Sequence, residues 1–270
     1  MENAVRKIKE MIEGAIRTGG VKGKNNLIRS HKIINLIHNT VKEDLIKKGI
    51  SPNRIVPSPG ESKGELKLFG FLKPKDQDVC VLPNNLEPQE ETLKSGLKLG
   101  RKCPYGKEYT EKTLTINVRS QLSSLAKNFD TLYERTFAEA LNLHVRCPKM
   151  VLGEIYMIPV FEYDNSAAKE NRVEFKPNSR VNRHLKKYIN AFQALNNRNL
   201  KGNSEEFKYE KVCLLIVDFS KEVPKIYSTN QELINDGLIS DCTNIDLNEL
   251  NFNNFTNHLI KVYNYRFGKL

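Results

Sequence analysis

A carboxylate on one strand, facing an acid and a lysine one residue apart on the next, makes a compact device for metal-assisted phosphodiester hydrolysis. The two carboxylates hold a hard divalent cation such as Mg2+, which activates water and stabilises the leaving oxygen. The lysine places positive charge beside the scissile phosphate. One-apart spacing on a strand puts the acid and the lysine on the same face. Two stretches of this 270-residue chain could carry the device. One is Asp78, heading Asp-Val-Cys-Val-Leu-Pro, with Asn117-Val118-Arg119 further along. The other is Asp164 followed by Glu174-Phe175-Lys176. The second is the literal match, but with 28% of residues charged such matches also arise by chance. The first is preferred for the denser pattern of polar residues around it.

The elements that must position these groups are read from periodicity. Val5, Ile8, Ile12 and Ile16 predict an amphipathic helix over 3–17, broken by the Gly/Lys-rich stretch 18–24, which lacks the spacing of a phosphate-binding Walker loop. A second helix is predicted over 27–48, and 51–60, rich in proline, as a loop. Strands follow at 65–72, 78–82 and 114–119, with 73–77 as a polar turn and 84–112 as a basic excursion holding at most a short helix. The clearest helix carries Leu122, Leu125, Phe129, Leu132, Tyr133, Thr136, Phe137, Ala140 and Leu141 on one stripe. A strand or hairpin at 150–160 completes the order α, β, β, β, α, β. Then come a strand at 172–176, a helix at 181–195, an apolar strand at 212–219 and a last helix near 255–265. The two patterns are expected to share one mixed sheet.

The segment 116–144, INVRSQLSSLAKNFDTLYERTFAEALNLH, resembles a region of some type II restriction endonucleases. There a strand bearing Glu-x-Lys runs into a Gln/Ser-rich turn and a helix with Asn and Glu. By that likeness Asn117 falls in the acid slot and Arg119 in the lysine slot. Gln121, Ser124 and Asn128 match the turn and helix start, and Glu134 matches the helix acid. Residues 64–83 are similar to the hairpin that brings in the metal-binding aspartate, here Asp78. The likeness covers about half the chain and implies membership of the PD-(D/E)xK-like nucleases. The implied fold is α/β (α+β): a mixed central sheet flanked by helices with an αβββαβ core. A single nuclease domain would span 1–270, with a helical N-terminal part (1–60), a sheet-containing core (61–220) and a helical, Asn-rich C-terminal part (221–270).

The implied activity is Mg2+-dependent, sequence-specific cleavage of double-stranded DNA within a restriction-modification system. Asp78 would bind the metal with Glu65 or Glu134, Arg119 would contact the scissile phosphate, and Asn117 and Gln121 would orient water or backbone. A homodimer is expected, since two-fold protein symmetry mirrors palindromic sites. Base readout is expected from basic segments such as 84–112. Asn in place of the acid removes a charge from the metal site, and Arg in place of Lys turns a point charge into a planar fork. The alternative reading is therefore a DNA-binding protein on a decayed nuclease fold. Glu134 and Arg135 also read simply as a solvated helix face.

The composition suits these expectations. Lys and Arg number 43 against 32 Asp and Glu, a formal charge of +11, which favours a polyanionic partner although biased composition yields the same excess. The basic residues are dispersed, with mild clusters at 22–29, 94–112 and 180–187. No window approaches eighteen uninterrupted apolar residues, so no membrane span is expected. The charged start lacks an apolar signal core, which points to the cytoplasm. The five cysteines are odd in number and scattered, unlike a disulfide framework or zinc knuckle. The five histidines are isolated, apart from His31 and His38 on one predicted helix.

Overall fold

Two helical layers clamp a six-stranded sheet in a computed structural model that describes residues 1–177, 181–201, 204–240 and 244–270. The chain opens with α1 (Glu2–Arg29) and α2 (His31–Lys47), followed by a two-residue strand β1 (Ile55–Val56). A hairpin, β2 (Leu66–Phe69) and β3 (Pro74–Gln77), leads into β4 (Val79–Val81). A second short hairpin, β5 (Glu91–Thr92) and β6 (Lys102–Cys103), and α3 (Gly106–Glu111) fill the basic excursion. Then come β7 (Leu114–Ser120), α4 (Leu125–His144) and β8 (Leu152–Pro159). The chain continues through α5 (Asn165–Lys169), α6 (Val181–Ala194), β9 (Lys211–Asp218), β10 (Lys225–Tyr227), α7 (Asn230–Asn235) and α8 (Phe255–Phe267).

The sheet order is β1-β4-β7-β8-β9-β10. The β1/β4, β4/β7 and β9/β10 pairs are antiparallel, while β7/β8 and β8/β9 are parallel. The class is thus the expected one, mixed α/β with helices on both faces, but the order α, β, β, β, α, β is met in the main sheet only with β1 in place of the strand expected at 65–72 and with the side hairpins and α3 passed over. Strands β8 and β9 are buried along their whole length, which is why they read as near-continuous apolar runs. One face carries Cys80, Leu152, Tyr156, Leu214 and Ile216 against Phe129, Ala140 and Leu143 of α4 and Leu185 and Ile189 of α6. The opposite face carries Val79, Ile116, Val118, Ile155 and Leu215 against α1, α2 and α8. Each fully buried Ile or Leu in these layers contributes about 1.5–3 kcal/mol. At Gly153 a Cβ would lie 2.6 Å from Leu259 Cδ1, so the missing side chain lets α8 press onto β8.

Several boundaries differ from expectation. The first sheet strand is β1, inside the segment read as a loop, while 66–69 and 74–77 pair with each other in a hairpin outside the main sheet. The first helix passes through the Gly/Lys stretch, absorbing the break as a kink at Gly20 (φ 55, ψ −142). Only glycine tolerates that backbone readily, and a Cβ there would meet the Ala168 carbonyl at 2.7 Å. The helix expected over 27–48 is divided at Ser30, whose side chain caps α2 by accepting from Lys32 N at 3.4 Å. The strand expected at 172–176 is a single bridge, Tyr163 to Phe175. The basic cluster at 180–187 begins with Arg180, outside the described residues.

Candidate active site

Register fixes the site. The β4/β7 ladder pairs Val79 with Ile116, so Asp78, one residue earlier, sits level with Asn117. The next free amide of β7, that of Val118, donates to Asp78 Oδ2 at 2.7 Å, and the carboxylate is thereby anchored to the neighbouring strand. In the parallel β7/β8 register Asn117 lies beside Glu154. Asp78, Asn117 and Glu154 therefore stand at one level across three adjacent strands. Two residues beyond Asn117, on the same face, Arg119 donates from Nη1 to Glu154 Oε1 at 2.8 Å and to Thr136 Oγ1 of α4 at 3.0 Å. Its Nη2 pairs with Glu139 of α4, which Lys75 of β3 also engages. Arg119 thus bolts α4 to the sheet.

Asp78, Asn117 and Arg119 open onto a cavity of about 450 Å3 between the α1–α2 junction and α4. Arg29, Lys75 and Arg135 line it too, with Asp76 as a further acid. A larger cavity, about 820 Å3, lies against β10 and the start of α1 and contains none of these groups.

Burial sets the electrostatics. Glu154 has no exposed surface and its Oε2 has no hydrogen-bond partner. Loss of solvation pushes its carboxyl up to about 8, against the pull of Arg119 and helped by the negative charge of Asp78. Burial works against the charge on Arg119, but Glu154, Tyr209 and Asp78 outweigh it and hold the guanidinium above its ordinary value. His38 on α2 is buried with Nε2 unpartnered, and burial lowers its pKa although Asp78 pulls it upward.

Of the residues singled out from sequence, Asp78, Asn117 and Arg119 converge. Glu65 stays exposed outside the cavity lining, within the field of the site: partial burial, then Asp78 and Asp76, raise its carboxyl. Gln121 is committed elsewhere. Its Oε1 accepts from Tyr156 and Tyr188 hydroxyls at 3.1 and 2.9 Å, and its Nε2 donates to the Ser124 carbonyl at 2.9 Å. It braces the core and leaves no group for water or substrate. Glu134 is exposed. Five residues along an α-helix turn roughly 140°, so it faces away from the side on which Glu139 reaches Arg119. The competing cluster is used structurally. Asp164 caps α5 through Ser166 and Ala167 amides at 2.6 and 2.8 Å, Glu174 pairs with exposed Arg172, and Lys176 holds Glu162 at 2.8 Å. Sequence spacing missed Glu139, Glu154 and Lys75. Glu154 did leave a signal, as the one charge in the apolar run MVLGEIYMIPV.

Among the described residues no group of three or more His, Cys, Asp or Glu is arranged to hold a metal. The cavity's metal-ligating side chains are the Asp78 and Asp76 carboxylates, the Asn117 amide and the His31 imidazole, with Glu154 Oε2 behind them. Mg2+ takes one or two carboxylates and keeps several waters, so a lining in which carboxylate and amide oxygens outnumber the single imidazole fits that ion. No described helix is long and apolar enough to cross a membrane. The chain matches no family model, and no curated protein or solved structure matches it either.

Proposed function

We propose that the chain is a divalent-metal-dependent endonuclease of the type II restriction class, acting on double-stranded DNA from the Asp78 cavity. One observation carries this reading: Asp78, Asn117 and Arg119, singled out from the 64–144 pattern, meet in one cavity beside a buried acid, Glu154. The strand and helix order around them and the charge of +11 support it.

Mg2+ held by Asp78, with Glu154 or Glu65 as second carboxylate, would polarise the phosphoryl group and lower the pKa of water. Arg119, fixed by Glu139 and Glu154, offers its guanidinium to the phosphate. Asn117, level with Asp78, has an amide to orient water or the sugar-phosphate backbone. Glu134, turned away from the cavity, has no part in this scheme. Palindromic substrates would be met by a homodimer. Cys80, Cys103, Cys147 and Cys213 are free and buried, which suits a reducing compartment such as the cytoplasm.

Incubation of purified protein with mixed, unmethylated duplex DNA tests this. Discrete fragments are expected with Mg2+ or Mn2+ and none with chelator. Intact DNA under both metals would overturn the nuclease. A second reading, a non-catalytic DNA-binding protein, is favoured by Asn117 in the acid position and by Arg119 being held by two glutamates. Duplex binding that survives chelation, without cleavage, would select it.

A further inference from the structure

The cavity's cations fall into two kinds. Lys75 and Arg119 are held in close contact by the buried Glu139, and Arg119 by Glu154 as well. Arg29 and Arg135 are not. Arg29, at the C-terminal end of α1, is exposed and makes no ion pair or side-chain hydrogen bond among the described residues. Arg135 is also exposed and approaches Glu139 only at 3.8 Å, across a carboxylate already shared with Lys75 and Arg119. Both line the same cavity as Asp78.

Their origin in the fold gives them geometry. The α1–α2 pair covers the sheet face that carries Val79 and Val118, and α4 covers the opposite face. The cavity draws on both layers, so Arg29 reaches it from one and Arg135 from the other. We infer that Arg29 and Arg135 form a two-sided phosphate clamp, contacting backbone phosphates of a DNA strand laid over Asp78. This rests on the reading that the cavity engages DNA. It assigns a task to Arg29, which closes the basic cluster at 22–29 that the proposed chemistry leaves unused. Arg29 has no ion pair among the described residues to break in reaching a phosphate and Arg135 only the 3.8 Å pair with Glu139, whereas Arg119 is gripped by two buried carboxylates, and the planar fork suits two oxygens of one phosphate.

The test is the salt dependence of duplex binding, measured by fluorescence anisotropy in chelator so that cleavage plays no part. Each phosphate contact contributes about −0.9 to the slope of log K against log salt. Arg29→Gln and Arg135→Gln are each expected to reduce the slope by about one, and the double variant by about two. Lys7→Gln, in the first turns of α1, serves as an exposed control expected to match wild type. Circular dichroism checks that every variant folds. Wild-type slopes in both folded Arg variants would overturn the clamp while leaving a Mg2+-dependent nuclease intact. Reduced slopes with no cleavage in any metal would uphold the clamp and remove the nuclease. Failure of wild type to bind duplex even at low salt would remove both.

Discussion

Glu154→Gln isolates the conflict at the heart of the site, where burial opposes the Glu154 charge and Arg119 supports it. With burial prevailing, the folded-state pKa is about 8 against an ordinary 4.5. Between those values the folded chain holds a proton that the unfolded chain has released. Stability therefore falls as pH rises through this window, by at most about 1.4 kcal/mol per pH unit. Glutamine mimics the protonated acid in shape and carries no titrating proton. Near pH 5 the variant should be within about 1 kcal/mol of wild type; near pH 8 it should be more stable by about 4 kcal/mol. Chemical denaturation at the two pH values, followed by far-UV circular dichroism, reads this directly, provided the denaturant slope is unchanged. A variant less stable than wild type at both pH values would refute the reasoning. Glu154 would then be an ionised partner that Arg119 stabilises.

Glu210 should behave with the opposite sign. It is fully buried and accepts from Leu152 N at 2.7 Å, Arg266 at 2.8 Å and Arg198 at 3.2 Å. Burial alone would raise its carboxyl, but His144, Arg266 and Arg198 hold it down at about 2. Its contribution is thus present above roughly pH 4.5 and lost as pH falls towards 2. Glu210→Gln should cost about 3–5 kcal/mol at neutral pH and flatten the acid limb of an unfolding titration. Gln121→Leu removes the acceptor shared by Tyr156 and Tyr188 and should cost about 2 kcal/mol in a thermal melt. Cleavage per folded molecule should persist, because Gln121 supports the site without facing it.

What the sequence disclosed follows from how strongly each element is patterned. Most of the α4 stripe and the buried runs of β8 and β9 were legible because an apolar face, or two, must be filled along many residues, although Leu122 precedes the helix and packs in the opposite layer and Phe137 is exposed. Strand β1 was not, since two residues between Pro52 and Pro57 carry no period, and pairing with β4 alone makes them a strand. The expected strand at 172–176 has its apolar face, Val173 and Phe175, packed on the core, but it meets a partner only at Tyr163, so it forms a single bridge rather than a ladder. Asp78 and Arg119 were legible because both lie at the apolar-to-polar edges of short strands. The choice of helix acid was a question of phase: Glu134 and Glu139 lie on one helix, and the one nearer Thr136 on the sheet-facing side reaches Arg119. Glu154 needed no tertiary contact to be noticed, only attention to a lone charge in an apolar strand.

Cleavage of mixed, unmethylated duplex DNA with Mg2+ by wild type, Asp78→Ala and Glu174→Ala, run side by side, puts the central claim at most direct risk. Wild type and Glu174→Ala should give the same discrete fragments, since Glu174 only pairs with Arg172 at the surface, and Asp78→Ala should give none. Fragments from Asp78→Ala, or their loss only in Glu174→Ala, would contradict the assignment of the centre to the Asp78 cavity.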